Sequence, residues 1–290
     1  MPELPEVESA RTVIENTALG RVIADVDDND SYVCRPHKPG DIRVALAGRR
    51  LTAVHRRGKS MWCDTSGTEH SGPDDPEDPE APDGPDGPEG PVLGIHLGMS
   101  GKIVIADGHG GEVEGGDYWQ RGRANGDHRF SRFSITFADG GMLLLVDPRR
   151  LGRVRLDPPV DKLGPDARAI SPAQFRAAFA RGTAPVKARL LDQDAIAGIG
   201  NLLADQVLWQ AKVHPATPVG ELTDTEVDDL RKAVRRSVAA SVENGGVHTL
   251  PILSFRKEGG HCPRCGAPMV RGKVAGRTTW WCSREQKWPR

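Results

Sequence analysis

The sequence predicts an α+β fold with a β-rich N-terminal part, a helical C-terminal part and a cysteine-bearing tail. Short apolar runs typical of strands dominate the chain up to residue 146. From about Ser171 onward, apolar residues repeat at helical spacing instead. Three of the five cysteines lie in the last 29 residues. Because 290 residues can bury cores in two modest domains, these observations favour a two-domain architecture.

Seven runs rich in apolar residues are predicted to be strands. They span residues 22–26, 51–54, 60–63, 92–97, 102–105, 130–137 and 142–146. One helix precedes them. Pro5 suits its first turn, and Val7, Ala10, Val13 and Ile14 form its apolar face.

Two stretches are predicted to be loops that interrupt the strands. Residues 65–91 contain nine acidic residues and no Lys or Arg, and proline occurs at every third position from Pro73 to Pro91. Since such a segment has almost nothing apolar to bury, we expect a disordered acidic insertion. The second stretch, residues 108–126, is rich in glycine.

The clearest helix of the C-terminal part has signals at both ends. Thr223 and Glu226 make a capping box at its start. Apolar residues then recur at helical spacing from Val227 to Val238, and Gly245 and Gly246 end the helix.

The charge distribution favours a polyanionic partner. The net charge of −1 combines an acidic insertion with a remainder of 39 basic and 40 − 9 = 31 acidic residues. From Ser254 to Arg290 there are nine Lys or Arg and two Glu. A basic body with a basic tail fits nucleic acid, although a solvated charged surface fits the same pattern.

The remaining bulk features concern location. No apolar run reaches membrane length, and the N-terminus lacks the pattern of a signal peptide. Five cysteines, three of them clustered, suit a metal site in a reducing compartment better than a disulfide framework. We therefore expect a cytoplasmic protein, and one that associates with the nucleoid if its polyanionic partner is DNA. We also expect a monomer.

The N-terminus offers an amine nucleophile. Removal of Met1 before the small Pro2 exposes a secondary amine, which can attack a sugar C1′ carbon and form an iminium. Glu3 beside it can move protons. The positive end of the helix near Pro5 disfavours the ammonium form. Taken alone, this signal is weak, because Met-Pro starts are common and most of them mark a mere processing residue.

Eight sequence blocks together resemble the formamidopyrimidine-DNA glycosylase / endonuclease VIII family, and the formamidopyrimidine branch more closely. They occur in the family's order over nearly the whole chain apart from the two insertions. The blocks are PELPEVE at 2–8, RRGK at 56–59, HLGMSG at 96–101, DPRRLG at 147–152, LGP at 163–165, LLDQ at 190–193, GIGN at 198–201 and the cysteine tail with GRTT at 276–279.

This resemblance implies a fold in three parts. Residues 1–156 would form an N-terminal catalytic β-sandwich domain with an N-terminal helix, interrupted by the insertion 65–91. Residues 157–250 would form a helical domain with a helix–two-turn–helix motif. Residues 251–290 would form a zinc-finger-like β-hairpin.

The resemblance also implies an activity. The chain would be a bifunctional DNA glycosylase and abasic-site lyase of base excision repair. It would remove oxidised bases from double-stranded DNA through a Schiff base at Pro2, followed by β,δ-elimination. The implied catalytic residues are Pro2, Glu3, Lys59 and Arg277. Lys59 would contact the phosphate near the lesion and assist β-elimination, and Arg277 would bind the lesion phosphate and aid δ-elimination.

Three of the implied DNA-binding residues resemble the family's intercalation trio. Met99, Arg149 and Leu151 would fill the void that the flipped nucleotide leaves and contact the orphaned base. Leu151 stands where the family usually has Phe, and leucine wedges but stacks less well.

The other implied DNA contacts are His128, Lys187 and Asn201. Lys187 matches a DNA-contacting lysine of the family. Asn201 is expected to cap the helix after the GIGN turn, whose backbone N–H groups would grip a phosphate.

The tail predicts one structural zinc ion. Its spacing is Cys262-x2-Cys265, sixteen residues, then Cys282-x2-Glu285, and the family has a fourth Cys where Glu285 stands. We predict Cys262, Cys265, Cys282 and Glu285 as the ligands. His261 is a rival fourth ligand, and a zinc-free hairpin held by its tryptophans is a third interpretation.

Two questions stay open at this stage. A catalytically inactive protein of the same fold that binds lesions or abasic sites is the alternative function. The preferred lesion is also open, although only fifteen residues, 247–261, separate Gly246 from Cys262. In the family this stretch includes the loop that covers a flipped 8-oxoguanine, and here it looks shorter by about a dozen residues. We therefore expect the loop to be absent and excision of that base to be weak.

Overall fold

The computed structural model describes residues 2–67, 90–117 and 128–288. Most of the acidic insertion therefore lies outside the described residues, as does the end of the Gly-rich stretch. The chain divides into two compact units. Unit 1 comprises Met1–Pro2, Ala10–Arg56 and Ser60–Pro159, and unit 2 comprises Glu3–Ser9, Arg57–Lys59 and Val160–Arg290.

Unit 1 contains the strands of two antiparallel sheets. The helix α1 (Leu4–Thr17) comes first in the chain, and a short helix α2 (Asp41–Leu46) follows the first strand. The strands are β1 (Ile23–Asp27), β2 (Leu51–Arg57), β3 (Ser60–Thr65), β4 (Leu93–His96), β5 (Lys102–Ala106), β6 (Glu112–Gly116), β7 (Ser131–Phe137), β8 (Met142–Val146) and β9 (Arg153–Leu156). One sheet has the order β1-β7-β8-β5-β6 and the other β2-β3-β4-β9.

Three elements of unit 1 were not predicted, namely helix α2 and strands β6 and β9. Strand β6 lies inside the stretch 108–126 expected to be a loop, because Gly115 and Gly116 still pair with β5 through their backbone. Helix α2 lacks a capping side chain of its own. Instead, the buried Asp28 accepts from the N–H groups of Gly40 and Ile42 at 2.7 and 2.9 Å. A carboxylate that precedes the helix in the chain thus provides hydrogen-bond acceptors for the start of α2.

The two ends of the acidic insertion lie side by side. The N–H of Gly90 donates to the carbonyl of Thr65 at 2.8 Å, and the Thr65 hydroxyl donates to the carbonyl of Pro91 at 2.7 Å. Strands β3 and β4 on either side pair with each other. The insertion therefore leaves the sheet and returns to it at one point.

Unit 2 is helical and ends in a hairpin. Its helices are α3 (Pro172–Phe179), α4 (Val186–Leu191), α5 (Asn201–Ala211) and α6 (Asp224–Glu243), and its strands are β10 (Met269–Val274) and β11 (Arg277–Cys282). The predicted capping box of Thr223 with Glu226 is present, and Ser171 with Gln174 makes another. The apolar faces of α3 to α6 share one core cluster. Within the described residues, no helix has the length and apolar character needed to cross a membrane.

Candidate functional site

The carboxylate of Glu3 occupies the N-terminus of helix α5. Its two oxygens accept from the backbone N–H groups of Gly200 and Leu202 at 2.8 Å and of Leu203 at 3.2 Å. Gly200 is the N-cap residue and offers no side chain of its own. The prediction that Asn201 caps this helix is therefore wrong, because a carboxylate 197 residues earlier in the chain already satisfies the same N–H groups.

Burial dominates the electrostatics of Glu3. The side chain is fully buried, which raises its pKa, while the Lys59 ammonium and the three N–H groups act against that rise. The net effect is a raised pKa. Glu3 can therefore hold a proton at a pH where an exposed glutamate has lost it.

Glu6 fixes the backbone around Glu3, a contact that sequence reasoning missed. One carboxylate oxygen of Glu6 accepts from the N–H of Glu3 at 2.9 Å and the other from the N–H of Val247 at 2.6 Å. Burial raises the pKa of Glu6 to about 7. Pro2 precedes Glu3 in the chain, so these bonds hold the residue to which the N-terminal proline is attached.

Lys59 shares one electrostatic environment with Glu3 and Arg277. Its ammonium donates to the carbonyl of Ile199 at 2.8 Å. Burial lowers the pKa of Lys59, the Glu3 carboxylate raises it, and the Arg277 guanidinium lowers it further. The net effect is a lowered pKa, which favours a neutral amine more than in an exposed lysine.

Glycine permits the turn before Lys59. Gly58 has φ 61°, and a Cβ there would lie 2.6 Å from the Cβ of Ala197. Its N–H donates to the Asp166 carboxylate at 2.7 Å. The close approach of this turn to Ala197 and Gly198 places Lys59 beside the start of α5.

Arg277 opens strand β11 and is exposed. The turn before it contains Ala275 and Gly276 with φ 50° and 73°. The carbonyl of the next residue, Thr278, accepts from the Asn201 amide at 3.1 Å and from the Lys187 ammonium at 3.2 Å. These two predicted DNA contacts therefore meet the hairpin directly beside Arg277.

Lys187 is a buried member of an ion network. Its side chain is 0% exposed and donates to the Asp205 carboxylate at 2.6 Å and to the Thr279 hydroxyl at 2.8 Å. Arg256 pairs with the same carboxylate at 3.0 Å. The structure thus gives the sequence-based assignment of Lys187 as a DNA contact no support. Its ammonium joins α4, α5 and β11.

The four predicted metal ligands lie together. The sulfurs of Cys262, Cys265 and Cys282 and a carboxylate oxygen of Glu285 all lie within 4.8 Å of one another. The separation is 3.4 Å between Cys265 Sγ and Cys282 Sγ, and 3.7 Å between Cys262 Sγ and Glu285 Oε2. His261, the rival ligand, is exposed and does not belong to this group.

Neighbouring groups favour the anionic forms of two members of this cluster, Cys262 and Glu285, whereas burial raises the pKa of the Cys282 thiol. The indole N–H of Trp209 donates to Cys262 Sγ at 3.4 Å. Although burial raises the pKa of that thiol, the indole and nearby backbone N–H groups lower it overall. Arg264 donates to Glu285 Oε2 at 2.8 Å through Nε, and Lys212 lies 3.7 Å from Oε1. Although burial raises the pKa of Glu285, these cations lower it overall.

In unit 1, one aspartate shapes the turn that carries Arg149 and Leu151. The Asp147 carboxylate accepts from the N–H groups of both residues, at 3.1 and 2.7 Å. The neighbouring turn that holds Met99 approaches closely, since a Cβ on Gly98 would lie 2.4 Å from the backbone of Leu151. The structure therefore brings Met99, Arg149 and Leu151 together, with Arg149 exposed and the other two half-buried.

His128 lies elsewhere in unit 1. It precedes β7 and its Nε2 lies 2.9 Å from a carboxylate oxygen of Glu112 on β6. The side chain is half-buried. This pair is compatible with a surface role, and His128 as a DNA contact stays a prediction.

Comparisons with known proteins agree with this arrangement. The family model of the formamidopyrimidine-DNA glycosylase N-terminal domain matches residues 1–154, and that of the H2TH domain matches residues 163–250. A formamidopyrimidine-DNA glycosylase of Mycobacterium ulcerans is 30% identical over 100% of both chains. One of Chloroflexus aurantiacus is 28% identical over 97% of this chain and 96% of its own.

Solved structures match over the same length. The formamidopyrimidine-DNA glycosylase of Lactococcus lactis, non-covalently bound to DNA containing an AP site, has a TM-score of 0.76 and 26% identity, with 99% of this chain and 100% of that chain covered. MutM in complex with DNA containing carbocyclic 8-oxo-G has the same TM-score, 25% identity and the same coverage. The predicted fold class is therefore confirmed, and the chain belongs to the formamidopyrimidine-DNA glycosylase family.

Proposed function

We propose that this protein is a DNA glycosylase of base excision repair that also cleaves the strand at abasic sites, with the Pro2 amine as nucleophile. The observation that carries the proposal is the buried Glu3 carboxylate, held on the N-terminus of α5 and next in the chain to Pro2. Lys59 and Arg277 bring cationic groups to the same environment. Double-stranded DNA with an oxidised base or an abasic site is the substrate.

The chemistry begins at the Pro2 nitrogen. Its lone pair forms a bond to C1′ while the glycosidic bond breaks. The base leaves with the electron pair of the glycosidic bond and takes up a proton. The nitrogen then loses its proton, and its lone pair forms the iminium as the C1′–O4′ bond breaks and O4′ takes up a proton. The iminium acidifies the C2′ proton, whose loss expels the 3′ phosphate. A second elimination, with loss of the C4′ proton, expels the 5′ phosphate.

The chain's own residues support each stage. Because its pKa is raised, Glu3 can deliver or accept a proton during sugar-ring opening. Lys59 and Arg277 stabilise the negative charge on the departing phosphates. Met99, Arg149 and Leu151 would fill the space that the extruded nucleotide leaves.

The cysteine cluster fits one structural zinc ion held by Cys262, Cys265, Cys282 and Glu285. The donor set is chemically suitable, since thiolate sulfur and carboxylate oxygen both bind zinc in tetrahedral sites. The short separations among these atoms and the indole N–H on Cys262 support the assignment. When bound, the ion would cross-link the base of the hairpin that carries Arg277.

Borohydride trapping tests the proposal. Protein whose N-terminus is free should form a covalent adduct with abasic DNA when the iminium is reduced. The same protein with Met1 retained or with an N-terminal tag should not. If the blocked protein is trapped equally well, the Pro2 mechanism is wrong. If neither form is trapped although both bind abasic DNA, the chain is a lesion-binding protein without catalysis.

A further inference from the structure

An exposed tyrosine surrounded by arginines lies in unit 1, apart from the residues used above. We call this surface the Tyr32 patch and define it as Tyr32, Arg35, Arg150 and Arg153 together with Asp30. The Tyr32 side chain is 45% exposed. The guanidinium carbon of Arg35 lies 3.9 Å from the centre of the tyrosine ring, that of Arg153 lies 4.9 Å away and that of Arg150 lies 5.9 Å away.

The patch rests on a fixed framework. Val33 and Cys34, which follow Tyr32, are fully buried. The carbonyl of Val33 accepts from the N–H of Val154 on β9 at 3.0 Å. Because β9 is itself paired with β4, the loop that carries Tyr32 is attached to the sheet. The patch is therefore preorganised, which reduces the entropy lost when it binds a ligand.

The patch carries an excess of positive charge. Three guanidinium groups face one carboxylate, that of Asp30, which Arg150 engages through two bonds of 3.0 and 2.8 Å. Arg35 and Arg153 instead share the carbonyl of Tyr32, at 3.1 and 3.3 Å. Because all three guanidinium groups lie around one tyrosine ring, they repel one another, and an anion placed among them is stabilised.

The free edges of two arginines suit a phosphate. In the described parts of the chain, Arg35 and Arg153 donate hydrogen bonds only through Nη1. The edge of each guanidinium formed by Nε and Nη2 is therefore available to a ligand. That edge donates two parallel hydrogen bonds to an oxyanion, which is the usual way that arginine binds phosphate.

Arg150 connects the patch to the turn with Arg149 and Leu151. It lies between those residues in the chain and has φ 54°, a left-handed conformation that is unfavourable for a side chain larger than glycine. Its two hydrogen bonds to the Asp30 carboxylate hold Arg150 in this conformation. The proposed function puts the Arg149 guanidinium against the orphaned base, which belongs to the undamaged strand.

We propose that the Tyr32 patch binds phosphates of the DNA strand opposite the lesion. This assignment rests on the proposed function for the choice of strand, and on the patch's own charge and geometry for the choice of phosphate. Arg35 and Arg153 donate to the phosphate oxygens. Tyr32 orients both guanidinium groups through its ring and its carbonyl, and Arg150 maintains the register with the intercalating turn.

The test compares binding of the full-length wild type and Arg35→Gln/Arg153→Gln to a duplex with a tetrahydrofuran abasic analogue, over a range of salt concentrations. Loss of two phosphate contacts should reduce the slope of log Kd against log salt by about 1.8. It should also weaken binding about tenfold at low salt. The control, Arg43→Gln/Lys232→Gln, removes the same charge from residues that are 60% and 59% exposed and pair with Asp25 and Asp229. Melting temperatures confirm that both variants are folded.

Neutral methylphosphonate linkages then identify the strand. On the undamaged strand they should weaken binding by the wild type and leave the variant unaffected. A salt slope equal to that of the control, or an effect of neutral linkages confined to the damaged strand, would overturn the assignment. Borohydride trapping of the wild type on an abasic duplex reports on the proposed function separately, so failure of that function is distinguishable from failure of the patch.

Discussion

Replacing Lys187 with methionine removes a buried charge that joins three elements of unit 2. The ammonium is 0% exposed and bonds to Asp205, to the Thr279 hydroxyl and to the Thr278 carbonyl. Methionine has a similar length but no charge and no donor. The Asp205 carboxylate, also 0% exposed, would keep only Arg256 as a cationic partner.

The expected cost follows from burial. Breaking a fully buried ion pair by removing one partner costs about 3–5 kcal/mol, since the remaining charge stays desolvated. Arg256 at 3.0 Å and the Trp280 N–H at 3.2 Å still bind Asp205, so the lower end of that range applies. We therefore expect Lys187→Met to lower the free energy of unfolding by about 3 kcal/mol.

Urea unfolding measures this cost, with Lys232→Met as the matched control. Lys232 is 59% exposed and pairs with Asp229 at 3.1 Å, so its loss should change stability by less than about 0.5 kcal/mol. Hydrogen exchange of the Trp280 N–H should accelerate in Lys187→Met because its acceptor is Asp205. A variant that keeps wild-type stability and exchange but loses DNA affinity would refute the reasoning, and would restore Lys187 as a direct DNA contact.

Four further predictions concern pH, metal, the insertion and the substrate. The pKa of Glu6 is raised from its ordinary 4.5 to about 7, so the folded protein binds this proton more tightly than the unfolded chain. The contribution of Glu6 to the free energy of unfolding should thus be fully present below pH 4.5 and be lost as the pH rises through 7. Glu6→Gln should remove this loss, about 3 kcal/mol, from the pH dependence of urea unfolding. Purified protein should contain about one zinc ion per chain. The Glu285→Cys variant should retain the ion against a chelator better than the wild type. The Glu285→Ala variant should lose the ion and bind DNA more weakly. A metal-free wild type whose DNA binding ignores the chelator would contradict this. Deletion of residues 68–89 should leave the melting temperature unchanged, because the backbones of Thr65 and Gly90 are already hydrogen-bonded to each other. The deletion should also tighten binding to undamaged DNA at low salt. Loss of folding would contradict this prediction. In a side-by-side lesion panel, excision of 8-oxoguanine should be weak relative to formamidopyrimidines, oxidised pyrimidines or abasic sites, and selective 8-oxoguanine removal would contradict the inference from the short stretch 247–261.

Local patterns predicted the features whose partners are close in sequence. The capping box at Thr223 needs only Glu226, three residues away, and both bonds are present. The candidate metal site follows from two short spacings, and the four side-chain atoms predicted as ligands lie together. In both cases the interacting side chains are so close in sequence that few backbone conformations bring them together. The local sequence is therefore enough to predict the contact.

Contacts between distant residues were not predictable in this way. Asn201 has the side chain that local rules favour near a helix start, yet Glu3 takes that role from the other end of the chain. A motif marks Lys187 as a cation without showing that Asp205, eighteen residues later, neutralises it. Arg256 and Arg264 belong to a basic tail, but only the structure shows that each pairs with one particular carboxylate.

The carboxylates of Glu3 and Glu6 hold the backbone next to Pro2, the proposed nucleophile. A terminal residue is normally among the least ordered parts of a domain. Here Glu3 bonds to the start of α5, and Glu6 bonds both to Glu3 and to Val247. Those partners lie about 200 and 240 residues further along the chain. If Pro2 is the nucleophile, as proposed, it is positioned only after unit 2 has folded, so variants that loosen α5 or the segment at Val247 should lose covalent trapping before they lose DNA binding.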